Sequence, residues 1–215
     1  RLSALGDVAM TVPVIYSACL CYPAVRFIFI TRRSMTSIFI NAPANLTVIG
    51  LDLTDDYNGV QGIWRLYREL KLKYAFDGFI DLHDVLRTKI FAAFCRLGHI
   101  PVSVINKGRK GKRALTRRRG KVLLPLISSR ARYRQAFHHI GLPVVNRFEG
   151  LFGEGKSVPT MFAPICPPRP EGEKWVGIAP FAKHAGKIYP PAMMEQVVSA
   201  ISETPGIRIF LFGGG

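Results

Sequence analysis

Short apolar runs and amphipathic stretches alternate along most of the chain. Runs of β-branched and aromatic residues predict four strands, at Val25–Ile30, Val48–Leu53, Phe76–Leu82 and Val102–Ile105. Apolar residues at helical spacing predict four helices, at Val8–Ile15, Gly62–Tyr74, Leu86–Leu97 and Arg130–Ile140. Because alternating strands and helices are typical of a parallel α/β sheet, residues 1–150 are predicted to form a Rossmann-like domain.

The composition changes after residue 150. Residues 151–172 contain five prolines and three glycines, which predicts a linker between domains. Residues 173–215 then resume the earlier order, with strands predicted at Trp175–Pro180 and Ile207–Phe212 and a helix at Pro190–Ser202. Because two strands are too few for an independent sheet, this part is predicted to be the start of a second, incomplete α/β domain.

The composition is that of a globular protein with a large basic excess. Hydrophobic residues make up 48% of the chain, and 30 Lys and Arg face 14 Asp and Glu, for a net charge of +16. Such a charge attracts nucleic acid, anionic lipid headgroups or phosphorylated glycans. No apolar run reaches the roughly 18–20 residues that span a bilayer, and Asp7 interrupts the first apolar stretch. The layout is not that of a signal peptide, and a cytoplasmic location is expected.

The cysteines and histidines show no metal-binding pattern. The Cys19-x-Cys21 pair lacks the spacing of a zinc knuckle, and no second cysteine pair accompanies it. We therefore expect free thiols, no metal site and no cofactor.

The most basic segment covers residues 107–121. Nine of these fifteen positions are Lys or Arg, including Lys107 and Arg109. Self-repulsion predicts a mobile surface loop, which would suit a phosphate-rich partner or an anionic bilayer. Aromatic residues are not interleaved with the basic ones, so the stacking platforms of an RNA site are missing. A solvated loop without a partner is the remaining alternative.

A first candidate for chemistry lies in the small-residue turn at residues 3–7. In open parallel sheets ligands bind where strands end, and a carboxylate such as Asp7 at that place can act as a general base. The alternative is that Asp7 caps the helix that follows. The turn has no G-x-G-x-x-G pattern, so a dinucleotide site is not supported.

A second candidate follows the third predicted strand. In the segment Asp81–Arg87, His83 and Arg87 could hold an anionic group, the arginine through a bidentate contact. The alternative is that Asp84 caps the next helix and Arg87 is solvated.

A third candidate is the loop at residues 180–191, which leaves a strand and enters a helix. The helix N-terminus together with Lys183 and Lys187 could bind a diphosphate. The P-loop spacing is absent, and a capping loop with solvated lysines is the alternative.

Four blocks of sequence resemble one family, the ADP-heptose:lipopolysaccharide heptosyltransferases of glycosyltransferase family nine. Residues 1–13 resemble the opening R-x-S-x-x-G-D-V-x-x-T-x-P, and residues 81–87 are similar to D-L-Q-x-x-x-R, with His83 in place of Gln. Residues 187–190 resemble K-x-W-P within the block that starts at Ala179, and residues 210–214 resemble the strand and glycine turn that follow.

The resemblance implies a GT-B architecture, in which two Rossmann-like domains face each other across a cleft. It implies an inverting, metal-independent transfer of heptose from ADP-heptose to a lipid A–Kdo type acceptor. Asp7 then matches the general base and Lys187 the lysine that binds the donor phosphates. Lys183 and His184 fall near polar positions of the donor loop, and the family's remaining donor residues would lie beyond Gly215.

The acceptor would lie on the first domain. Its phosphate groups would be held there by basic side chains, namely His83, Arg87, Lys107 and Arg109. The expected partners are a nucleotide-sugar, a phosphorylated core acceptor and the anionic face of the inner membrane, without nucleic acid.

A hypothesis of another class is a non-catalytic protein that binds polyanions, either RNA or anionic lipid, through residues 107–121. It predicts salt-dependent binding that does not need Asp7.

Overall fold

The computed structural model describes residues 1–53, 57–152, 163–164, 166–182 and 185–213. The chain forms two compact units, residues 1–156 and 157–215. The first unit carries four strands, β1 (Phe27–Arg32), β2 (Leu46–Leu51), β3 (Phe79–Asp81) and β4 (Val102–Val104). Its helices are α1 (Leu5–Ala9), α2 (Val12–Cys21), α3 (Gly59–Tyr74), α4 (Leu86–Leu97), α5 (Arg109–Thr116) and α6 (Ser129–His139).

The strands form two parallel pairs. In the first, β1 pairs with β2 from Phe27 opposite Leu46 to Arg32 opposite Leu51. In the second, β3 pairs with β4, from Phe79–Val102 to Asp81–Val104. Arg1 touches both pairs, because its backbone nitrogen donates to Ile30 of β1 at 2.9 Å and its guanidinium to the Leu82 carbonyl after β3 at 2.8 Å. Residues that follow β1 and β3 are thereby brought to the same edge.

The predicted apolar helix at the N-terminus is two helices. The chain breaks between α1 and α2, where the Thr11 hydroxyl donates to the Val8 carbonyl at 2.6 Å. Pro13 then lies in the first turn of α2, where its missing N–H costs nothing. Most of α2 is buried among β1 and α6, which explains why it is apolar on nearly all sides.

A second core cluster is built on aromatic rings from α3, α4 and β3. The ring centroid of Phe91 lies 5.8 Å from that of Tyr67, 6.3 Å from that of Phe76 and 4.9 Å from that of Phe79. These edge-on, stacked and tilted contacts add to the burial of apolar area. The cluster fixes α4 against β3, and so places the residues that follow β3.

The prediction of a loop throughout residues 107–121 is wrong, because residues 109–116 form α5. Gly108 precedes the helix at φ +61°, and the Arg132 guanidinium occupies the place where a Cβ on Gly108 would lie. That guanidinium donates to the carbonyls of Asn106 at 3.0 Å and Ile127 at 3.1 Å. Arg132 thus holds the chain on both sides of α5, at Asn106 and at Ile127. The basic side chains of α5 are exposed, so the solvent screens their mutual repulsion.

In the second unit, β5 (Lys174–Ile178) pairs in parallel with β6 (Ile207–Leu211). A short 3-10 turn at Ala185–Lys187 precedes α7 (Pro191–Ser202). The predicted strands and helix of this unit are confirmed to within two residues at each end, and residues 183 and 184 of the predicted loop lie outside the described residues.

Candidate functional site

A cavity of about 630 Å³ lies at the carboxyl ends of β1, β2 and β3. It is lined from four segments of the first unit, residues 2–3, 32–34, 51–53 and 83–87. This is the position at which open parallel sheets bind ligands. Most polar side chains of the lining donate hydrogen bonds or carry positive charge, which are Ser3, Arg32, Arg33, Ser34, His83 and Arg87, and one carboxylate, that of Asp52, also lines it.

Asp7 lies in the first turn of α1, four residues after Ser3 of the cavity lining, and is not itself a lining residue. Its side chain is 51% exposed, and one carboxylate oxygen pairs with the guanidinium of Arg1, whose side chain is 10% exposed. The Tyr133 hydroxyl donates to the Asp7 carbonyl at 3.3 Å and holds the turn to α6. The capping alternative is wrong, because Ala4 occupies the N-cap position. The carboxylate is paired with a cation and remains open to solvent, so a substrate hydroxyl can reach it.

Arg1 is a residue that sequence reasoning missed. It touches the carboxylate of Asp7 and the Leu82 carbonyl, so it joins the candidate base to the loop after β3. The ion pair between Arg1 and Asp7 depends on the turn between these residues, and the spacing of the two residues in the sequence does not predict it.

His83 is held in the cavity wall by its neighbours. A carboxylate oxygen of the buried Asp81 accepts the backbone N–H groups of His83 at 2.7 Å and Asp84 at 2.9 Å. The His83 ring nitrogen Nε2 lies 3.2 Å from the Ser3 hydroxyl oxygen. Burial, with the nearby charge of Arg1, lowers the pKa of His83 from 6.5 to about 4. At neutral pH the ring is therefore uncharged and offers a hydrogen bond rather than a positive charge.

We expect His83 to make the protein less stable in acid. Its pKa is lower in the folded than in the unfolded chain, so between pH 6.5 and about 4 the unfolded state binds the extra proton. The free energy of unfolding should therefore fall as the pH falls, by roughly 1–3 kcal/mol through this residue. Urea unfolding at pH 7 and pH 4.5 measures the effect. Between pH 7 and pH 4.5, His83→Gln should lose less stability than the parent protein does. His139→Gln, at an exposed residue, is the control and should lose as much as the parent. Equal losses for the two variants would contradict the assignment.

Arg87 reaches the cavity from the first turn of α4, and its guanidinium donates to the Tyr57 carbonyl. It is half-buried rather than freely solvated. Capping by Asp84 is also wrong, because Val85 is the N-cap of α4 and its N–H donates to the Thr88 hydroxyl at 3.0 Å.

Arg32 and Arg33 are two further cavity residues that sequence reasoning missed. Both are exposed at the end of β1. Arg32 ends β1 and Arg33 follows it, just as Asp81 ends β3, so the rule that ligands bind where strands end could have found them.

Lys107 and Arg109 do not line the cavity. The Lys107 ammonium donates to the Asp84 carbonyl and the Arg109 guanidinium to the Asp84 carboxylate, both at 2.9 Å. Lys89 pairs with the same carboxylate at 3.4 Å. Burial lowers the pKa of Lys107. These cations hold the turn next to His83 from its outer side.

In the second unit, Lys187 lies on the 3-10 turn after β5 and is exposed. α7 begins four residues later, behind Pro190. In the part of the chain that the structure describes, no carboxylate pairs with Lys187. Lys183 and His184 lie outside the described residues.

Among the described residues there is neither a candidate metal site nor a helix that could span a membrane. No group of three or more His, Cys, Asp or Glu is arranged to hold a metal ion. No helix of the described segments combines the length and the apolar character needed to cross a membrane.

Comparison with solved structures bears on the fold. E. coli heptosyltransferase WaaC with ADP-2-deoxy-2-fluoro heptose matches 100% of this chain with 68% of its own, at TM-score 0.64 and 15% identity. The same enzyme with ADP matches 100% of this chain with 67% of its own, at TM-score 0.64 and 15% identity. A family 9 glycosyl transferase from Veillonella parvula matches 100% of this chain with 61% of its own, at TM-score 0.67 and 14% identity.

The chain has the GT-B type glycosyltransferase fold. The predicted fold class is thereby confirmed, and the chain spans about two thirds of the length of these neighbours. No family model and no curated protein matches the sequence. At 14–15% identity the likeness concerns the GT-B fold, and the reaction has to be argued from the site.

Proposed function

We propose that the protein is a family nine type glycosyltransferase that moves heptose from ADP-heptose to a lipopolysaccharide inner-core acceptor of the lipid A–Kdo type. The observation that carries the proposal is Asp7, a half-exposed carboxylate paired with Arg1, in a GT-B type fold whose first unit holds a cavity lined by Arg32, Arg33 and Arg87. The solved neighbours bind ADP and an ADP-heptose analogue, which supports a nucleotide-sugar as donor.

In the proposed reaction, Asp7 takes the proton from an acceptor hydroxyl while the bond between C1 of the sugar and the diphosphate lengthens. The sugar ring gains oxocarbenium character, and the hydroxyl oxygen attacks from the face opposite the leaving group. The configuration at C1 is therefore inverted. Neither a metal nor a cofactor is required, because Lys187 and the N-terminus of α7 offset the charge that grows on the diphosphate.

The acceptor is proposed to occupy the cavity of the first unit. Arg87 lines it and can hold a phosphate or carboxylate, while His83 offers a neutral hydrogen bond. Lys107 and Arg109 act through the Asp84 turn. Because this acceptor is a glycolipid, we place the reaction at the cytoplasmic face of the inner membrane.

The proposal is tested by incubating the intact protein with ADP-heptose and a lipid A–Kdo acceptor and measuring release of ADP and the anomeric configuration of the product. Transfer with inversion supports it, also in the presence of a chelator. RNA binding without any affinity for a nucleotide-sugar would instead favour a polyanion-binding protein, the alternative that the net charge of +16 suggests.

Lys187→Ala should weaken use of the donor. A lost charge-assisted contact to phosphate is worth about 1.5–3 kcal/mol, so we expect kcat/KM for the nucleotide-sugar to fall by roughly 10- to 100-fold. Steady-state kinetics at saturating acceptor measure this change. The exposed Lys174, at the start of β5, provides the matched control as Lys174→Ala. Equal effects from both lysines would show that Lys187 has no special contact with the donor.

A further inference from the structure

The positive charge of the protein is concentrated in one stretch. Residues 85–148 contain sixteen Lys and Arg and no Asp or Glu. The rest of the chain has fourteen residues of each sign, so the whole net charge of +16 lies in this stretch. Its densest part is α5 with residues 117–121, which together hold eight basic side chains, none of them buried.

Directly after this basic part comes an exposed apolar run, residues 122–127. The exposed fractions are Val122 44%, Leu123 77%, Leu124 68%, Leu126 37% and Ile127 52%. Isolated apolar residues are common on surfaces, but five in six positions form a patch of the kind that marks an interaction site.

The apolar run folds back on the basic helix. The Val122 N–H donates to the Ala114 carbonyl at 3.2 Å. The Leu126 side chain packs on α5 at Gly111, where an added Cβ would lie 2.9 Å from its Cδ2 atom. Basic and apolar side chains of residues 109–127 therefore belong to one surface, which we call the α5 surface.

The chemistry of this surface selects among partners. Nucleic acid would satisfy its charges but not its exposed leucines, and residues 109–127 contain no aromatic ring for base stacking. A second copy of the chain would bring like charges together. An anionic bilayer satisfies both features, because headgroups attract Lys and Arg while leucine side chains enter the boundary with the acyl chains.

We propose that the α5 surface docks the protein on an anionic lipid bilayer. The basic side chains lie at the phosphate headgroups, and Leu123 and Leu124, the most exposed apolar residues of the run, insert below them. The inference deepens the proposed function, in which the acceptor is a membrane glycolipid. It concerns binding alone, so docking and sugar transfer can fail separately.

Flotation of the intact protein with vesicles tests the proposal. We expect binding to vesicles of phosphatidylcholine with 30% phosphatidylglycerol, at least 10-fold weaker binding to phosphatidylcholine alone, and a loss of affinity as salt is raised. The double variant Leu123→Glu/Leu124→Glu should bind the anionic vesicles at least 10-fold more weakly. Leu97→Glu, at a residue 76% exposed on α4, is the matched control and should bind as the parent does.

A second variant and a second assay keep the outcomes distinct. Arg117→Gln/Arg118→Gln/Arg119→Gln should reduce both the affinity and its salt dependence, at sites outside any helix. Full binding by the double leucine variant, or equal binding to neutral vesicles, would overturn the proposal. So would RNA binding without vesicle binding, or a dimer of the parent that the leucine variant loses. Transfer to a soluble, delipidated acceptor should be unchanged in both variants, which separates docking from the reaction.

Discussion

Asp7→Asn is expected to lower kcat for sugar transfer by about 10³-fold and to leave the affinity for the nucleotide-sugar nearly unchanged. The amide keeps the size of the carboxylate, and its oxygen can still accept a hydrogen bond from Arg1. It cannot take the proton of the attacking hydroxyl. The loss should therefore appear in the chemical step and not in donor binding.

Single-turnover kinetics and a separate titration with ADP-heptose measure the two quantities. Asp77→Asn is the matched control, because Asp77 is exposed in the loop before β3. An Asp7→Asn protein that transfers sugar at the parental rate would remove Asp7 from the mechanism.

The second large effect concerns stability, where Phe91→Ala should reduce the free energy of unfolding by about 3–5 kcal/mol. Phe91 is 6% exposed and contacts three other rings, so its removal leaves a cavity that rigid neighbours cannot fill. It also loosens α4 from β3, the strand that leads to His83.

Urea unfolding followed by circular dichroism checks this value. Leu97→Ala on the same helix removes an apolar side chain that is 76% exposed, and should change stability by less than about 0.5 kcal/mol. If the two variants were equally destabilised, Phe91 would not be a core residue.

Periodicity predicted most elements of this fold, because burial imposes a period of two or 3.6 residues on the chain. α4 was predicted with the bounds it has, and α3 begins three residues earlier than expected. The observed strand ends differ from the predicted ones by up to three residues. An apolar run shows which residues are buried, but it does not show where the hydrogen-bond ladder between two strands starts and stops.

The candidate site was predicted only in part. Position after a strand was enough to single out His83 and Arg87, which line the cavity, because the carboxyl ends of parallel strands meet at one edge. The assignment of Asp7 rests on the resemblance to the family. The contacts of Lys107 and Arg109 with Asp84 join residues more than twenty positions apart, and they exist only once β3 has paired with β4. The helical state of α5 was also missed, because charge density predicted repulsion while the exposed position of the helix lets solvent screen it.

The turn at Asp84 shows how charge can set the shape of a backbone. Asp84 has φ +50°, a left-handed conformation that side chains other than Asn and Asp adopt rarely. A glycine there would be free of strain, but it would leave Lys89 and Arg109 without their carboxylate. Because the Asp84 side chain is only 14% exposed and contacts Lys89 and Arg109 directly, added salt should weaken these ion pairs less than it weakens attraction to a lipid surface, although both cations are more than half exposed. Ionic strength therefore offers a way to detach the protein from vesicles while the cavity edge keeps its form.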